Sequence, residues 1–509
     1  MLEPARLADA AAVAAGAALS FAFAPFDLWP LAILSPAVLF ALWQGAAPRR
    51  AAALGFLFGA GTFGAGTWWL YISIHGFGQA PVWLTLLLIV LLVAIMAAWQ
   101  ALLGYLAARL LPAAGALRWL AGLPALWLLI EWWRGWFLSG FPWLSLGYSQ
   151  TDTWLAALAP VGGVYLLGAV LALQAGALVA LVLGGGRVRA LALVALLGPW
   201  AAALALRAVA WTEPEGAPVS VAVAQGAVPQ DEKWQLENRE PTRELYRGLT
   251  QRVLGTRLIV WPEAAVPELA NDVQDYLKQV YAAGHEHGSD LLMGALRADG
   301  DDYYNSILAL GDTVAFYDKR HLVPFAEYFP VPGIVRRWLR LLSLPYSDFQ
   351  RGRRAQPALE VGDLKVAATI CYEDAFGAEQ LAVLRTANVL VNVTNDAWFG
   401  RSPARFQHFQ IGRMRALESG RYLVRAANDG VSAVVGPRGE VLARAAEYRP
   451  TVLQGTVRPM GGLTPYARAG NAPVVALGLA GAAAAILAQW RRRRRDGAAG
   501  ARVRVKLSS

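Results

Sequence analysis

The chain has 509 residues, of which 56% are hydrophobic and only 16% charged, with a formal net charge of +10 and a single cysteine. A soluble globular chain carries about 25% charged residues, so this composition excludes a wholly soluble protein and points to a large membrane-embedded fraction. The positive charge lies mostly in short arginine clusters beside apolar runs, as in membrane anchors and unlike a nucleic-acid surface, and a lone thiol excludes an internal disulfide.

From Met1 to about Val209 one apolar run follows another. The predicted spans are Leu7–Ala24, Leu28–Trp43, Ala51–Ile72, Val82–Ala108, Trp119–Phe137, Trp154–Leu183 and Ala190–Val209. Each is near the roughly 20 residues that a helix needs to cross the hydrocarbon, allowing for tilt. The beginning of Trp154–Leu183 also suits the interface. Leu7–Ala24 lacks the short apolar core and small-residue cleavage site of a cleavable signal, and reads as a span. Trp and Tyr gather at run ends, as in "TWWLYIS" and "EWWRGWF", which fits an aromatic belt. Loop charge alternates. Arg49 and Arg50 precede the third run, "SIHGFGQA" has no Lys or Arg, "ARLLPAAGALR" has arginines, "SGFPWLSLGYSQTD" has none, and "GGGRVRA" carries Arg187 and Arg189. That alternation places the N-terminus inside, with Arg134 a mild exception. "GAGTFGAG" has glycines outside the strand–helix setting of a phosphate loop, so close helix packing explains it better.

The composition changes near Trp211, where "TEPEGAP" reads as a linker. From there to about Tyr466 the pattern is that of an α/β domain. "VSVAVAQG", "RLIVWPE", "DLLMGAL", "DLKVAATICYE" and "NVLVNVTND" read as buried strands, and "EPTRELYRGLTQRVLG" and "DVQDYLKQVYAAGHEHG" as helices. A last apolar run, Ala472–Trp490, ends at the pentad Arg491–Arg495, which returns the C-terminus to the inside. The expected organisation is a transmembrane bundle over 1–211, an outer domain over 212–466, a C-terminal span over 467–490 and a basic tail over 491–509. The alternative for the pentad is a solvated, disordered tail.

Three stretches carry groups suited to chemistry. Cys371 follows "LKVAAT" at a strand end, where α/β folds build sites. A free thiol is equally at home as a small buried hydrophobe, but Tyr372, Glu373 and Asp374 are an odd flank for a packing residue. A nucleophilic thiol needs an activating base or cation. "LIVWPEAAVP" ends a strand at Glu263, where a buried carboxylate is costly unless paired. "FYDKRHLVPFAEYFP" carries Lys319 and Glu327. Each alone has a plain reading as a cap or a solvated charge. His285 and His287 in "GHEHG" lack a third ligand at workable spacing, so no metal is expected.

Together, in the order Glu, Lys, Cys, "WPEAAVP", "YDKRHLVPFAEYFP" and "ICYEDAF" resemble the signature segments of the nitrilase, or carbon–nitrogen hydrolase, superfamily. With spans on both sides, the whole chain resembles the bacterial apolipoprotein N-acyltransferases. The resemblance implies a membrane bundle of about eight transmembrane helices joined to a nitrilase-like αββα sandwich. It implies Glu263 as general base, Lys319 as oxyanion partner and Cys371 as nucleophile. Glu327, Tyr372 and Glu373 are implied as supporting residues, and Trp234 as a substrate-facing aromatic. Asn395, Asp396 and Trp398 in "VTNDAWFG" follow another strand and are expected to line the site or shape its loop. No cofactor is implied. The expected partners are a phospholipid acyl donor such as phosphatidylethanolamine and a diacylated apolipoprotein acceptor, with the enzyme a monomer in the inner membrane. Tyr372 could instead only pack, and Trp234 only anchor a surface.

Anchors at both ends would confine the site to the bilayer surface. "PGIVRRWLRLLSLPYSDF", 332–349, mixes apolar residues with Arg336, Arg337 and Arg340, the composition of an interfacial arm; an ordinary packed helix is the alternative. The competing functions are a tethered amidase or nitrilase that uses the same three residues with water as acceptor, and a non-enzymatic membrane protein with a binding domain.

Overall fold

The structure, a computed structural model, describes residues 4–328 and 349–507. The predicted arm at 332–349 therefore lies outside the described residues except for Phe349.

The N-terminal part is helical. Helices run over Pro4–Leu19, Leu31–Leu42, Pro48–Gly66, Val82–Leu110, Leu123–Arg134, Ala159–Leu183 and Gly186–Leu206, one for each predicted span. With Ala472–Arg495, five helical stretches among the described residues are long and apolar enough to cross a membrane: Pro4–Ala22, Val82–Leu110, Trp154–Leu183, Gly186–Leu206 and that last one. Leu31–Leu42 has 12 residues, so at 1.5 Å per residue it falls well short of a hydrocarbon layer of about 30 Å. Trp154–Leu158 forms a separate 3-10 turn, and the helix after it kinks at Gly162 and Gly163. The glycine run packs helices closely. A Cβ on Gly61 would overlap the Val13 carbonyl, and one on Gly59 would meet Ala97. The final helix does not stop at the arginine pentad but continues to Leu507, because its alanines and arginines are strong helix formers.

The second part stacks two six-stranded sheets. One runs Thr451–Val457, Val219–Gln225, Leu258–Trp261, Asp290–Asp299, Asp302–Leu310, Val314–Asp318; the other Val441–Arg444, Ala433–Val435, Leu423–Ala427, Val389–Thr394, Leu364–Ile370, Leu359–Val361. The five predicted strands all belong to these sheets. In each sheet the central pairings are parallel, Val219–Gln225 with Leu258–Trp261 and Leu364–Ile370 with Val389–Thr394 among them, and such strands are buried on both faces. Leu258 and Val260 enter the core between the sheets with Val366, Ile370 and Val391. Ile259 and Trp261, pointing the other way, pack under the helices Arg239–Gln251 and Gln274–Glu286 with Tyr246 and Val280. The helix Ala404–Ser419 covers the second sheet through Phe409 and Ala416. The result is an αββα sandwich, as expected.

That last helix is also the joint with the bundle. Ala404, Ile411, Met414 and Leu417 share a core with the membrane helices. Trp143 Nε1 donates to Gln407 Oε1 at 2.7 Å, and the Val164 amide donates to Glu418 Oε1 at 2.8 Å.

Candidate active site

The strand Leu364–Ile370 delivers Cys371 to the first position of a short 3-10 turn, Cys371–Ala375. Cys371 has φ of 51°, a left-handed conformation that costs a residue with a Cβ and persists only where its surroundings enforce it. Ala264, next to Glu263, has φ of 44°, and Phe325, in the loop before Glu327, has φ of 65°. Three left-handed residues thus border the three sequence segments singled out above.

Glu263 follows the strand Leu258–Trp261, and Lys319 follows Val314–Asp318. Both are buried. Lys319 Nζ lies 2.8 Å from Glu327 Oε1 and 3.4 Å from Glu263 Oε1. Asn305 Nδ2 donates to both carboxylates, at 2.8 Å to Glu263 and 3.0 Å to Glu327. The second Glu327 oxygen accepts from the Val323 amide at 2.8 Å. Burial alone would pull the Lys319 ammonium down, but Glu327 and Glu263 outweigh it and hold the pKa above the usual lysine range. The Cys371 thiol is pushed well above its ordinary value, by burial first and then by the Glu263 charge; Lys319 opposes the shift. The resting group is a neutral thiol close to a carboxylate and a fixed ammonium. Such an arrangement can form a thiolate only as a proton leaves for a base.

The supporting residues divide. Glu373 is buried and braces two segments: it accepts from the amides of Ile370 at 2.8 Å, Arg320 at 2.6 Å and His321 at 3.1 Å, and from Tyr317 Oη at 3.0 Å. Tyr372 turns to the bundle, donating from Oη to the Gly140 carbonyl at 3.3 Å and stacking 6.5 Å from Trp143. Trp234 is 47% exposed, beside the buried Lys233. Asn395 bonds to Gln230 at 2.7 Å and Asn428 at 3.1 Å, tying loops together. Trp398 sits at the bundle joint, its ring 6.3 Å from Phe77 and its carbonyl accepting from Ser73 Oγ at 2.7 Å. Phe349, the end of the predicted arm, donates its amide to the Glu327 carbonyl at 3.2 Å. His287 Nδ1 bonds the Ala283 carbonyl at 2.8 Å and His285 stacks on Tyr281, so both histidines serve their own helix.

Several site residues lay outside the sequence reading. Asn305 opens the buried stretch "NSILAL", and Arg425 stands inside "LVRAA", each a polar group at a core position. Both signals were present in the sequence. Lys233 Nζ donates to the Glu263 carbonyl at 3.2 Å, and burial brings its pKa down to about 8, opposed by Glu263.

Comparison with known proteins places the chain among named families. The family model for the apolipoprotein N-acyltransferase N-terminal domain matches residues 15–177, and that for carbon-nitrogen hydrolase matches 220–466. The chain is 42% identical to an apolipoprotein N-acyltransferase of Methylococcus capsulatus over 469 residues, covering 92% of this chain and 93% of the relative. It is 44% identical to that of Azotobacter vinelandii, covering 90% of each. It is 42% identical to that of Pseudomonas aeruginosa, covering 89% of this chain and 91% of the relative.

Proposed function

The chain belongs to the apolipoprotein N-acyltransferase family, and we propose that Cys371 carries the acyl chain between its two substrates, with Glu263 as base and Lys319 as oxyanion partner. The enzyme acts in the maturation of bacterial lipoproteins. The observation that carries the proposal is the shared electrostatics of the three groups: Lys319 is bonded to Glu263 at 3.4 Å, and both shift the Cys371 thiol.

Two half-reactions follow. Glu263 takes the proton from Cys371 Sγ, and the thiolate attacks the ester carbonyl carbon of a phospholipid. The negative oxygen is received by the Lys319 ammonium and the Tyr372 amide. Collapse expels the lysophospholipid alkoxide, which takes the proton from Glu263, and a thioester remains. The α-amine of a diacylglyceryl-cysteine then attacks the thioester. Glu263 accepts its proton, Cys371 leaves as thiolate and regains that proton, and the product is an N-acylated lipoprotein. Water must be kept from the thioester; Tyr372, Trp143 and Phe376, packed together at the bundle, form an apolar wall suited to that.

The donor we propose is a membrane phospholipid such as phosphatidylethanolamine, and the working unit a monomer. The bundle (1–211) and the final span (467–490) sit in the inner membrane, with 212–466 periplasmic and both termini, including the basic tail 491–509, cytoplasmic. The loop charge alternation supports this orientation. The tethered amidase reading is not favoured, since the relatives are acyltransferases.

The test uses purified protein with acyl-labelled phosphatidylethanolamine. Label should appear on Cys371 as a hydroxylamine-sensitive adduct and move to an amine-bearing diacylated lipopeptide. Label released only as free fatty acid would overturn the transferase mechanism.

A further inference from the structure

Beneath the nucleophile turn lies a buried charged cluster that the scheme above does not use. His408, on the helix Ala404–Ser419, is 1% exposed. Its Nδ1 lies 2.7 Å from Asp396 Oδ1, and its Nε2 lies 3.0 Å from Asp374 Oδ1 and 3.2 Å from the carbonyl oxygen of Cys371. Arg425 donates to Asp374 Oδ2 at 2.9 Å, Asp396 Oδ2 at 3.0 Å and Asn392 Oδ1 at 2.7 Å. Asn392 Nδ2 in turn donates to the Cys371 carbonyl at 3.3 Å.

Both ring nitrogens of His408 face oxygen acceptors. A bare nitrogen 2.7 Å from a carboxylate oxygen would oppose two lone pairs, so Nδ1 bears a proton; Nε2, between two acceptors, bears one also. His408 is therefore an imidazolium, and with Arg425 it balances the two aspartates. Arg425 Nη2 also comes within 2.9 Å of Nδ1; the two donors are held together by the Asp396 carboxylate they share. Burial opposes the charge, but Asp374 and Asp396 outweigh it and lift the imidazole pKa to about 9. The other neighbours are the uncharged rings of Trp143 and Phe399.

The carbonyl of Cys371 and the amide of Tyr372 are opposite edges of one planar trans peptide. Whatever fixes the first aims the second. The Tyr372 amide is in the first turn of its 3-10 segment, where no intrahelical acceptor exists. We propose that His408 is a positioning residue for acyl transfer. By gripping the Cys371 carbonyl from below, with Asn392 as second donor, it holds the nucleophile in its left-handed conformation and points the Tyr372 amide at the developing oxyanion.

This rests on the proposed Cys371 chemistry, and the test separates the two. The same amide would serve both half-reactions, whose substrates differ. His408→Gln should therefore slow thioester formation from phospholipid and thioester discharge to lipopeptide by a similar factor, about 100-fold, with KM for both substrates little changed. A variant with normal rates, or one that loses only one half-reaction, overturns the inference while leaving the thioester mechanism intact. Failure of the unaltered protein to form the thioester would overturn the mechanism itself. Should His408→Gln not fold, nitrogen NMR of histidine-labelled native protein decides: a doubly protonated His408 at neutral pH is expected, and a neutral ring overturns the proposal.

Discussion

Asn305 donates its side-chain amide to the Oε1 of Glu263 at 2.8 Å, on the oxygen that Lys319 also approaches. The proposed base is thus held by two donors from one sheet, Asn305 within a strand and Lys319 at the end of the next. The same Asn305 nitrogen reaches Glu327, so one amide spaces the two carboxylates around the lysine.

A hydrogen bond to a charged group contributes about 1.5–3 kcal/mol. Asn305→Ala should therefore lower the rate of thioester formation about 10- to 100-fold, with the fold kept. Asn305→Asp should be worse, since it sets a third carboxylate against Glu263 and Glu327. Single-turnover acylation with labelled phospholipid measures both, and an Asp variant as active as the Ala variant would contradict the arrangement.

The Glu263 charge raises the Cys371 pKa. Glu263→Gln should therefore make the thiol more acidic while abolishing transfer. The pH profile of Cys371 alkylation by iodoacetamide should move to lower pH in the variant. An unchanged profile would mean that the carboxylate does not face the thiol.

Stability should carry the signature of the cluster below the nucleophile. His408 is raised from 6.5 to about 9, against the pull of burial, by Asp374 and Asp396. Its contribution is complete below pH 6.5 and is lost as pH rises through about 9. Asp396 goes the other way: although burial raises it, His408 and Arg425 bring it from 3.8 to about 2, so its contribution is complete above pH 3.8 and fades as pH falls through about 2. Lys233, lowered from 10.5 to about 8 by burial, adds stability with rising pH from about 8 upward, so the comparison with a variant is the clean measurement. The melting temperature of the native protein in detergent, minus that of His408→Gln, should shrink between pH 6.5 and 9.

The segments around Glu263 and Cys371 are legible because each places its group at the end of an apolar strand; Lys319 follows the partly exposed strand Val314–Asp318 and is legible only through the motif around it. The spans were legible from length and apolarity, though Leu31–Leu42 is too short to cross alone. What the sequence concealed was polar and distant. The helix "ARFQHFQIGRMRALES" looks like a solvated surface helix, yet it buries all but Phe406 and Arg413, because bundle and sheet close on it from opposite sides. His408 meets Cys371 only through that sandwiching. Asn395 and Trp398 were expected to line the site or shape its loop. Their bonds to Gln230 and Asn428, and to Ser73, make them ties between loops and between the two parts of the chain, contacts that no local pattern encodes.

The doubly covered helix has a consequence for how this enzyme can be lost. Cutting the chain at Thr212 and Tyr466 would not release a soluble catalyst. It would strip one wall from Ile411, Met414 and Leu417 and take the Trp143 donor from Gln407, leaving a sticky apolar face of the kind that drives aggregation. Lesions in the membrane helices far from Cys371, such as a bulky residue at Gly61, would then silence the enzyme by a route that resembles a catalytic defect in cells and is a folding defect in the test tube.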